Sequence, residues 1–405
     1  MLTSIQKQLL DILAAQLFKK PCPAFADAAW PALMQEAKQQ AVYPLVYQTV
    51  EEQMTAALPE EQLLPYRELY LRYLAANFRV TAMHASVHQL LTANEIPYVM
   101  LKGLASAAYY PETLLRTMGD VDFLVSKEDR ERVDLLLRQE EFEKDPNSET
   151  HSFHWEYNRG KDCVELHWNV PGVPHTNNEN IMEALEGILD RAESKTVSDT
   201  EFLAPSAYHH GLVLLLHTVS HLTSRGIGIR HLCDWLVFEN SMPEEQFVCL
   251  FQQPLQKIGL WTFACAMTAL GVRYLGCEPR AFCAHIDSSM ADRLLEDFFD
   301  GGNFGRKNVL RRGQMTMFRS YHSKSVGERS FLRVALDNMN AKTKEQFPVC
   351  VRHPVLFPAC WIAMGALVVY HHVSGRAAPV LRKEVLRGAV ERQKLYHELE
   401  LFRQD

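Results

Sequence analysis

The segment LKGLASAAYYPETLLRTMGDVDFLV, residues 101–125, decides the fold of this chain. Its last five residues, VDFLV, are mostly apolar, as in a buried strand. Asp120 and Asp122 nevertheless lie one residue apart at this point. Alternate residues of a strand point to the same face of a sheet, so the two carboxylates share one face. Because an unpaired buried carboxylate is costly, the pair indicates a site with a chemical role.

A later segment supplies a third carboxylate. The stretches FHWEYN and DCVELHWNV are separated by RGK, a pattern that predicts a β-hairpin. Glu165 and His167 share one face of its second strand. If this strand neighbours VDFLV in one sheet, Asp120, Asp122 and Glu165 converge. Three clustered carboxylates raise one another's pKa, and a divalent cation removes that penalty. Oxygen ligands suit Mg²⁺ or Mn²⁺, and two such ions are the usual apparatus of phosphoryl and nucleotidyl transfer.

The start of the same segment has features of a phosphate-binding turn. A strand that ends at Gly103 and opens a helix brings backbone N–H groups close to a phosphate. Lys102 and Arg116 lie in the same segment and are expected to contact phosphates too.

These residues together resemble the DNA polymerase β-like nucleotidyltransferase superfamily. Its core motif is a hydrophobic residue, Gly and Gly or Ser, then a spacer and Asp–hydrophobic–Asp/Glu, with a third carboxylate on a later strand. The chain is similar to a bacterial, largely uncharacterised branch of this superfamily that has a helical C-terminal region. The resemblance rests on LKG, GDVDFLV and VELHW, followed by LLLHTVSHL and RHLCDWLVF. Leu104 stands where the second Gly or Ser is usual, and the spacer before Asp120 is somewhat long.

The resemblance implies transfer of an NMP group from an NTP, such as ATP, to an unidentified acceptor. Asp120 and Asp122 match the metal-binding pair, Glu165 the third carboxylate beside the acceptor, and Gly103 the helix-opening glycine. Two alternatives remain open. One is a catalytically degenerate protein that binds nucleotides or partners on the same fold; the other is a toxin-like enzyme that modifies tRNA or a protein.

Several histidines are further candidates. His210, His217 and His221 follow at spacings of seven and four and share a helix face. We expect this helix to line the cleft and to offer His217 or His221 to substrate or phosphate; a zinc site and packed core histidines are the alternatives. His167 is either a partner of Glu165 or an ordinary sheet histidine. A further pair, Arg230 and Asp234, at a spacing of four, predicts an ion pair within one helix or two substrate contacts.

The hydrophobic periodicity predicts an α+β protein. We expect an N-terminal helical segment at residues 1–93, a nucleotidyltransferase core with a small mixed sheet at 94–204, and a large helical region at 205–405. The apolar segment 355–370 is shorter than a membrane span and contains Pro358, which favours a buried helix over a peripheral membrane contact.

The composition of the 405 residues gives a net charge of −7, which argues against strong general binding of nucleic acid. The stretch 306–333 is locally basic and is either a solvated face or a contact for an acidic partner. Nine scattered cysteines without a C-x-x-C pair favour reduced thiols and a cytoplasmic location.

Overall fold

The structure of the protein is a computed structural model. It describes all residues except 26–27, 147, 149–152, 175–177, 225, 306, 308–338, 341–342, 345, 348, 374–382 and 404–405. The basic stretch predicted at 306–333 therefore lies outside the described residues, apart from Lys307. The Lys307 ammonium lies 2.7 Å from both carboxylate oxygens of Glu36.

The N-terminal region is helical, as the sequence predicts. A capping box of Thr3 and Gln6 starts the first helix, because each side chain accepts a backbone N–H of the other residue. The fourth helix is 34 residues long and extends to the strand that precedes Gly103. The helices are α1 (Ser4–Phe18), α2 (Trp30–Gln39), α3 (Tyr43–Ala57) and α4 (Glu60–Ala93).

A small mixed sheet follows, which confirms the predicted α+β class. Its order is β1-β2-β5-β4-β3, and only β2 and β5 run parallel. The predicted hairpin is confirmed, with Gly160 at a φ of 62° in its two-residue turn. The strands are β1 (Tyr98–Met100), β2 (Val121–Val125), β3 (Glu143–Lys144), β4 (His154–Arg159) and β5 (Asp162–His167). Short helices α5 (Leu104–Ala107) and α6 (Arg130–Gln139) flank β2.

The two faces of this sheet have different chemistry. One face forms an apolar core with the inner side of α4, through Val80, Val87, Phe123, Val164 and Leu166 among others. Since side chains alternate along a strand, the intervening polar residues of β2, β4 and β5 point to the opposite face. The sheet thus holds acids and histidines on one surface without opening its core.

The chain then continues mostly as helices. The further elements are α7 (Glu179–Ala184), the hairpin β6 (Glu193–Val197) and β7 (Thr200–Ala204), α8 (Ala207–Ser224), α9 (Ile229–Glu239), α10 (Glu244–Ile258), α11 (Trp261–Tyr274) and α12 (Ser288–Gly301), then helices Val349–Arg352, Phe357–Val373 and Lys383–Glu398. One apolar core joins helices α1–α3 to α8–α12. The predicted division into three domains, at residues 93 and 204, stays a prediction.

The predicted apolar segment 355–370 falls largely within the helix Phe357–Val373. Several of its side chains are exposed, among them Ile362 and Tyr370. The sequence favours a buried helix here, and these exposed side chains depart from that prediction. Within the described part of the chain, no helix has the length and apolar character that crossing a membrane requires.

Candidate active site

The parallel pairing of β2 and β5 brings the predicted carboxylates together. Asp122 is the direct register partner of Glu165, and both lie on the face opposite the apolar core. Asp120 precedes β2 and points to the same side by strand alternation. Asp122 is almost fully buried, whereas Asp120 and Glu165 are partly accessible. The acids therefore form a partly buried cluster rather than a solvated surface patch.

Lys102 lies directly against this cluster. Its ammonium nitrogen is 2.9 Å from Oδ1 of Asp122. Burial acts to lower the pKa of Lys102, but the charges of Asp122, Asp120 and Glu165 outweigh burial and raise the pKa. Lys102 is thus held as a cation at the point where the acids meet.

His167 joins the two strands at the same point. Its Nε2 lies 3.1 Å from both Oδ1 of Asp122 and Oε2 of Glu165, so it donates its proton to one of these carboxylates. Burial acts to lower the pKa of His167, but these two hydrogen bonds and charges raise it overall. Of the two roles considered for His167, the contacts favour that of a partner of the carboxylates.

The three acids have different proton affinities. Burial acts to raise the pKa of Asp122, but Lys102 and His167 outweigh it and hold the pKa well below its usual range. The charge of Asp122, followed by burial, raises the pKa of Asp120. Burial and the charge of Asp122 raise the pKa of Glu165 to about 7. Glu165 and Asp120 are therefore protonated more readily than solvated carboxylates, whereas Asp122 stays ionised.

The turn before α5 is shaped by a histidine of α4 that sequence reasoning missed. Gly103 has a φ of 61°, and a Cβ at this position would lie 2.5 Å from Nε2 of His84. The Leu104 N–H donates to that nitrogen at 3.3 Å, and the other ring nitrogen, Nδ1, lies 2.8 Å from the Val80 carbonyl. His84 is therefore neutral, with its proton on Nδ1, and it caps the N–H that follows Gly103.

Replacing Gly103 with Ala is expected to destabilise the protein by about 3 kcal/mol. The backbone of Gly103, at φ 61° and ψ −117°, lies outside the left-handed region that other residues can adopt, so backbone strain and the clash with His84 both contribute to the loss. The matched control is Gly160→Ala, because Gly160 has a φ of 62° but open space around its Cβ position. Chemical denaturation measures both variants, and equal losses would show that His84 does not constrain the turn.

His84 is also expected to make stability depend on pH. Burial lowers the pKa of His84 from 6.5 to about 4, so the unfolded chain binds the extra proton first. Stability is therefore complete above pH 6.5 and falls as the pH drops from 6.5 to about 4, by about 3 kcal/mol for this group. In denaturation curves at several pH values, the stability advantage of wild type over His84→Gln should shrink across this interval. A constant advantage would contradict a neutral His84.

Arg116 does not reach into the acidic cluster, although it was predicted to contact phosphate. Its Nε and Nη2 donate to the two oxygens of Asp234 at 2.7 and 2.8 Å, and its Nη1 donates to the Gly103 carbonyl at 3.3 Å. Tyr110 donates a further hydrogen bond to Asp234 at 2.7 Å. Burial acts to raise the pKa of Asp234, but Arg116 outweighs it and lowers the pKa to about 2. These contacts indicate that Arg116 positions the turn, and its phosphate contact stays a prediction.

The spacing of four predicts that Arg230 pairs with Asp234. The bidentate partner of Asp234 is, however, Arg116. Arg230 instead donates from Nη1 to the Thr117 carbonyl at 3.0 Å. Its charge is near enough to Asp120 to act on the pKa of that carboxyl. Arg230 is therefore a second cation beside the acids, contributed by α9.

His217 is near enough to Lys102 for the charge of Lys102 to act on its pKa, and its contact with substrate or phosphate stays a prediction. Its ring centroid is 4.3 Å from that of His221 and 5.9 Å from that of His231. Burial, followed by the charge of Lys102, holds the pKa of His217 well below its usual range. The described residues contain two groups whose possible ligand atoms lie within 4.8 Å of one another, and neither is this histidine trio. The His210 ring stacks on Tyr109, with centroids 5.2 Å apart.

The acidic cluster fits a divalent cation. Asp122, Glu165 and His167 each offer one ligand atom, and these atoms lie within 4.8 Å of one another. Asp120 is outside this group, but the charge of Asp122 acts strongly on its carboxyl. His167 is hydrogen-bonded to the acids themselves, so the ligands left for an ion are the carboxylate oxygens of Asp120, Asp122 and Glu165, which suit Mg²⁺ or Mn²⁺.

A small mixed sheet with three clustered acids and an adjacent lysine is the arrangement expected of a nucleotidyl-transferring protein. A family model described as an uncharacterised nucleotidyltransferase matches residues 26–276. Since the match covers more than half of the chain, the protein belongs to this family. It supports nucleotidyl transfer as the class of reaction and an NTP as the class of substrate. A search of the curated proteins gives no match.

Several residues at this site were missed because no local pattern marks them. His84 and Asn77 are polar residues within a long helix and become important only where α4 meets the turn. Asn77 donates to the carbonyls of Leu114 and Arg116 and accepts the Met118 N–H, so it fixes the segment that leads to Asp120. Both polar side chains are buried, and this burial is what indicates their role. It is visible only in the tertiary structure.

Proposed function

We propose that the protein is a metal-dependent nucleotidyltransferase that transfers an NMP group from an NTP to an acceptor hydroxyl. In this reaction the acceptor oxygen forms a bond to the α-phosphorus, the bond to the β-phosphate bridging oxygen breaks, and pyrophosphate leaves. The hydroxyl proton passes to a base. The observation that carries the proposal is the register pairing of Asp122 with Glu165, with Asp120 on the same side.

Asp120, Asp122 and Glu165 are the residues that hold Mg²⁺ or Mn²⁺ in this proposal. The bound ion shields the charge of the triphosphate and makes the attacking hydroxyl more acidic. Glu165 is the carboxylate beside the acceptor and, directly or through the ion, helps to remove the hydroxyl proton. His167 holds Asp122 and Glu165 in place through its shared hydrogen bonds.

The phosphates are bound by cations that converge on the same edge. Lys102 is one, since its ammonium already lies 2.9 Å from Asp122 and can move between a carboxylate and a phosphate oxygen. Arg230 is the second phosphate-binding cation, and Arg116 is the third, as the sequence predicts. Gly103 brings the backbone close, and His217 faces the substrate beside Lys102.

We further place the chain in the polymerase β-like superfamily, in its bacterial branch, and the protein in the cytoplasm. The mixed sheet and the spacing of the three acids support the assignment to the superfamily. All nine cysteines are free thiols, which supports the assignment to the cytoplasm. The capped Leu104 N–H favours one alternative, a degenerate protein that binds nucleotides without transfer, because the N–H expected to meet a phosphate is donated to His84.

Thermal unfolding with each of the four NTPs, with and without Mg²⁺ or Mn²⁺, tests the proposal. We expect one NTP to raise the Tm by a few degrees only when metal is present, since a ligand at about 100 times its Kd adds about 2.7 kcal/mol. The Asp120→Asn/Asp122→Asn double variant should lose this shift. No shift with any NTP would contradict the proposal, and a shift without transfer would support the degenerate alternative.

A further inference from the structure

A second group of possible ligands lies next to the acidic cluster. His154 and Glu156 on β4 are the register partners of His167 and Glu165 on β5. His154, Glu156 and Glu165 each offer one ligand atom, and these atoms lie within 4.8 Å of one another. Glu165 therefore belongs to two groups, one with Asp122 and one with the residues of β4.

The pairing of Glu156 with Glu165 is unfavourable by itself. Two like charges directly opposite each other on neighbouring strands destabilise a sheet. Among the described residues, the Glu156 carboxylate is paired with His154, whose Nε2 is 3.6 Å from Oε1 of Glu156. The His154 ring also stacks against His167, with centroids 5.1 Å apart. A cation between the two glutamates would relieve their repulsion and use the imidazole nitrogen of His154 as a third ligand.

We propose that His154, Glu156 and Glu165 form a separate binding site for a divalent transition-metal ion. One imidazole nitrogen and two carboxylate oxygens favour Mn²⁺ or Zn²⁺ over Mg²⁺, which prefers oxygen ligands. The Glu156 and Glu165 side chains are 34% and 20% exposed, so an ion can enter from solvent and retain water ligands. This site does not require nucleotidyl transfer, but it shares Glu165 with the proposed transfer site.

The test is to count bound Mn²⁺ by electron paramagnetic resonance on the full chain in excess Mg²⁺. Excess Mg²⁺ should fill the oxygen-rich site at Asp120 and Asp122 and leave one Mn²⁺ per chain. Glu156→Gln and His154→Gln should each weaken the binding of this Mn²⁺ ion by at least about tenfold. Asp122→Asn should leave it bound, because Asp122 is not one of its ligands.

The matched control is Glu143→Gln, which removes an exposed carboxylate from β3 of the same sheet and should leave Mn²⁺ binding unchanged. Thermal unfolding checks that the β4 variants are folded, and Glu156 is exposed enough for Gln to replace it without repacking. The proposal is overturned if Glu156→Gln binds Mn²⁺ as wild type does, or if Asp122→Asn removes the Mg²⁺-resistant ion. A failure of the transfer proposal gives a different result. In that case no NTP changes the Tm, although the wild-type chain still binds this Mn²⁺ ion.

Discussion

Asp122→Asn is expected to lower nucleotidyl transfer at least about 1000-fold. A metal ion that neutralises developing charge contributes several kcal/mol to the transition state, and about 4 kcal/mol corresponds to this factor. Asp122 is the acid whose pKa is held lowest, so it stays ionised and ready to bind a cation. The replacement keeps the shape of the side chain and removes its charge.

The measurement is transfer of label from each NTP carrying ³²P at the α-phosphate. Mixed tRNA, a protein extract and a small-molecule extract serve as separate acceptor pools. The matched control is Asp190→Asn, an exposed aspartate outside the site, which should transfer label at the wild-type rate. If Asp122→Asn retained transfer with any pool that wild type labels, the assignment of the acidic cluster as the active site would be wrong.

Replacing Asp234 with Ala is expected to destabilise the protein by about 3–5 kcal/mol. This is the usual loss when one partner of a buried ion pair is removed, because the remaining charge stays buried without compensation. Arg116 and Asp234 are only 4% and 6% exposed, and Tyr110 loses its hydrogen bond as well. Chemical denaturation gives the free energy of unfolding directly.

The control is Asp292→Ala at the exposed ion pair with Arg273, where the side chains are 35% and 48% exposed. An exposed pair of this kind contributes about 0–1 kcal/mol, so this variant should remain near wild type. Equal losses for Asp234→Ala and Asp292→Ala would contradict the buried network described above.

A double variant separates stability from positioning. Arg116→Met combined with Asp234→Leu replaces the buried pair with apolar side chains and should recover much of the stability. It should nevertheless show a weaker NTP-dependent shift than wild type, because the Gly103 carbonyl loses the hydrogen bond from Arg116. A normal shift in this folded variant would leave Arg116 with a purely structural role.

The local sequence determined the features that depend on short-range patterns. The alternation in VDFLV and VELHW indicated two strands with acids on one face, and the turn at Gly160 indicated the hairpin. The helices on either side followed from their apolar periodicity. These inferences held because strand alternation and turn chemistry are properties of consecutive residues.

Only the tertiary structure decided which residues meet. The parallel pairing of β2 with β5 set Asp122 opposite Glu165, and no single segment specifies that register. The same limit explains Arg116, which pairs with Asp234 from a helix more than a hundred positions later, and His84, which caps the turn from α4. Burial and partner choice arise from long-range packing, so sequence patterns predicted the acids of the candidate site but not the network of contacts around them.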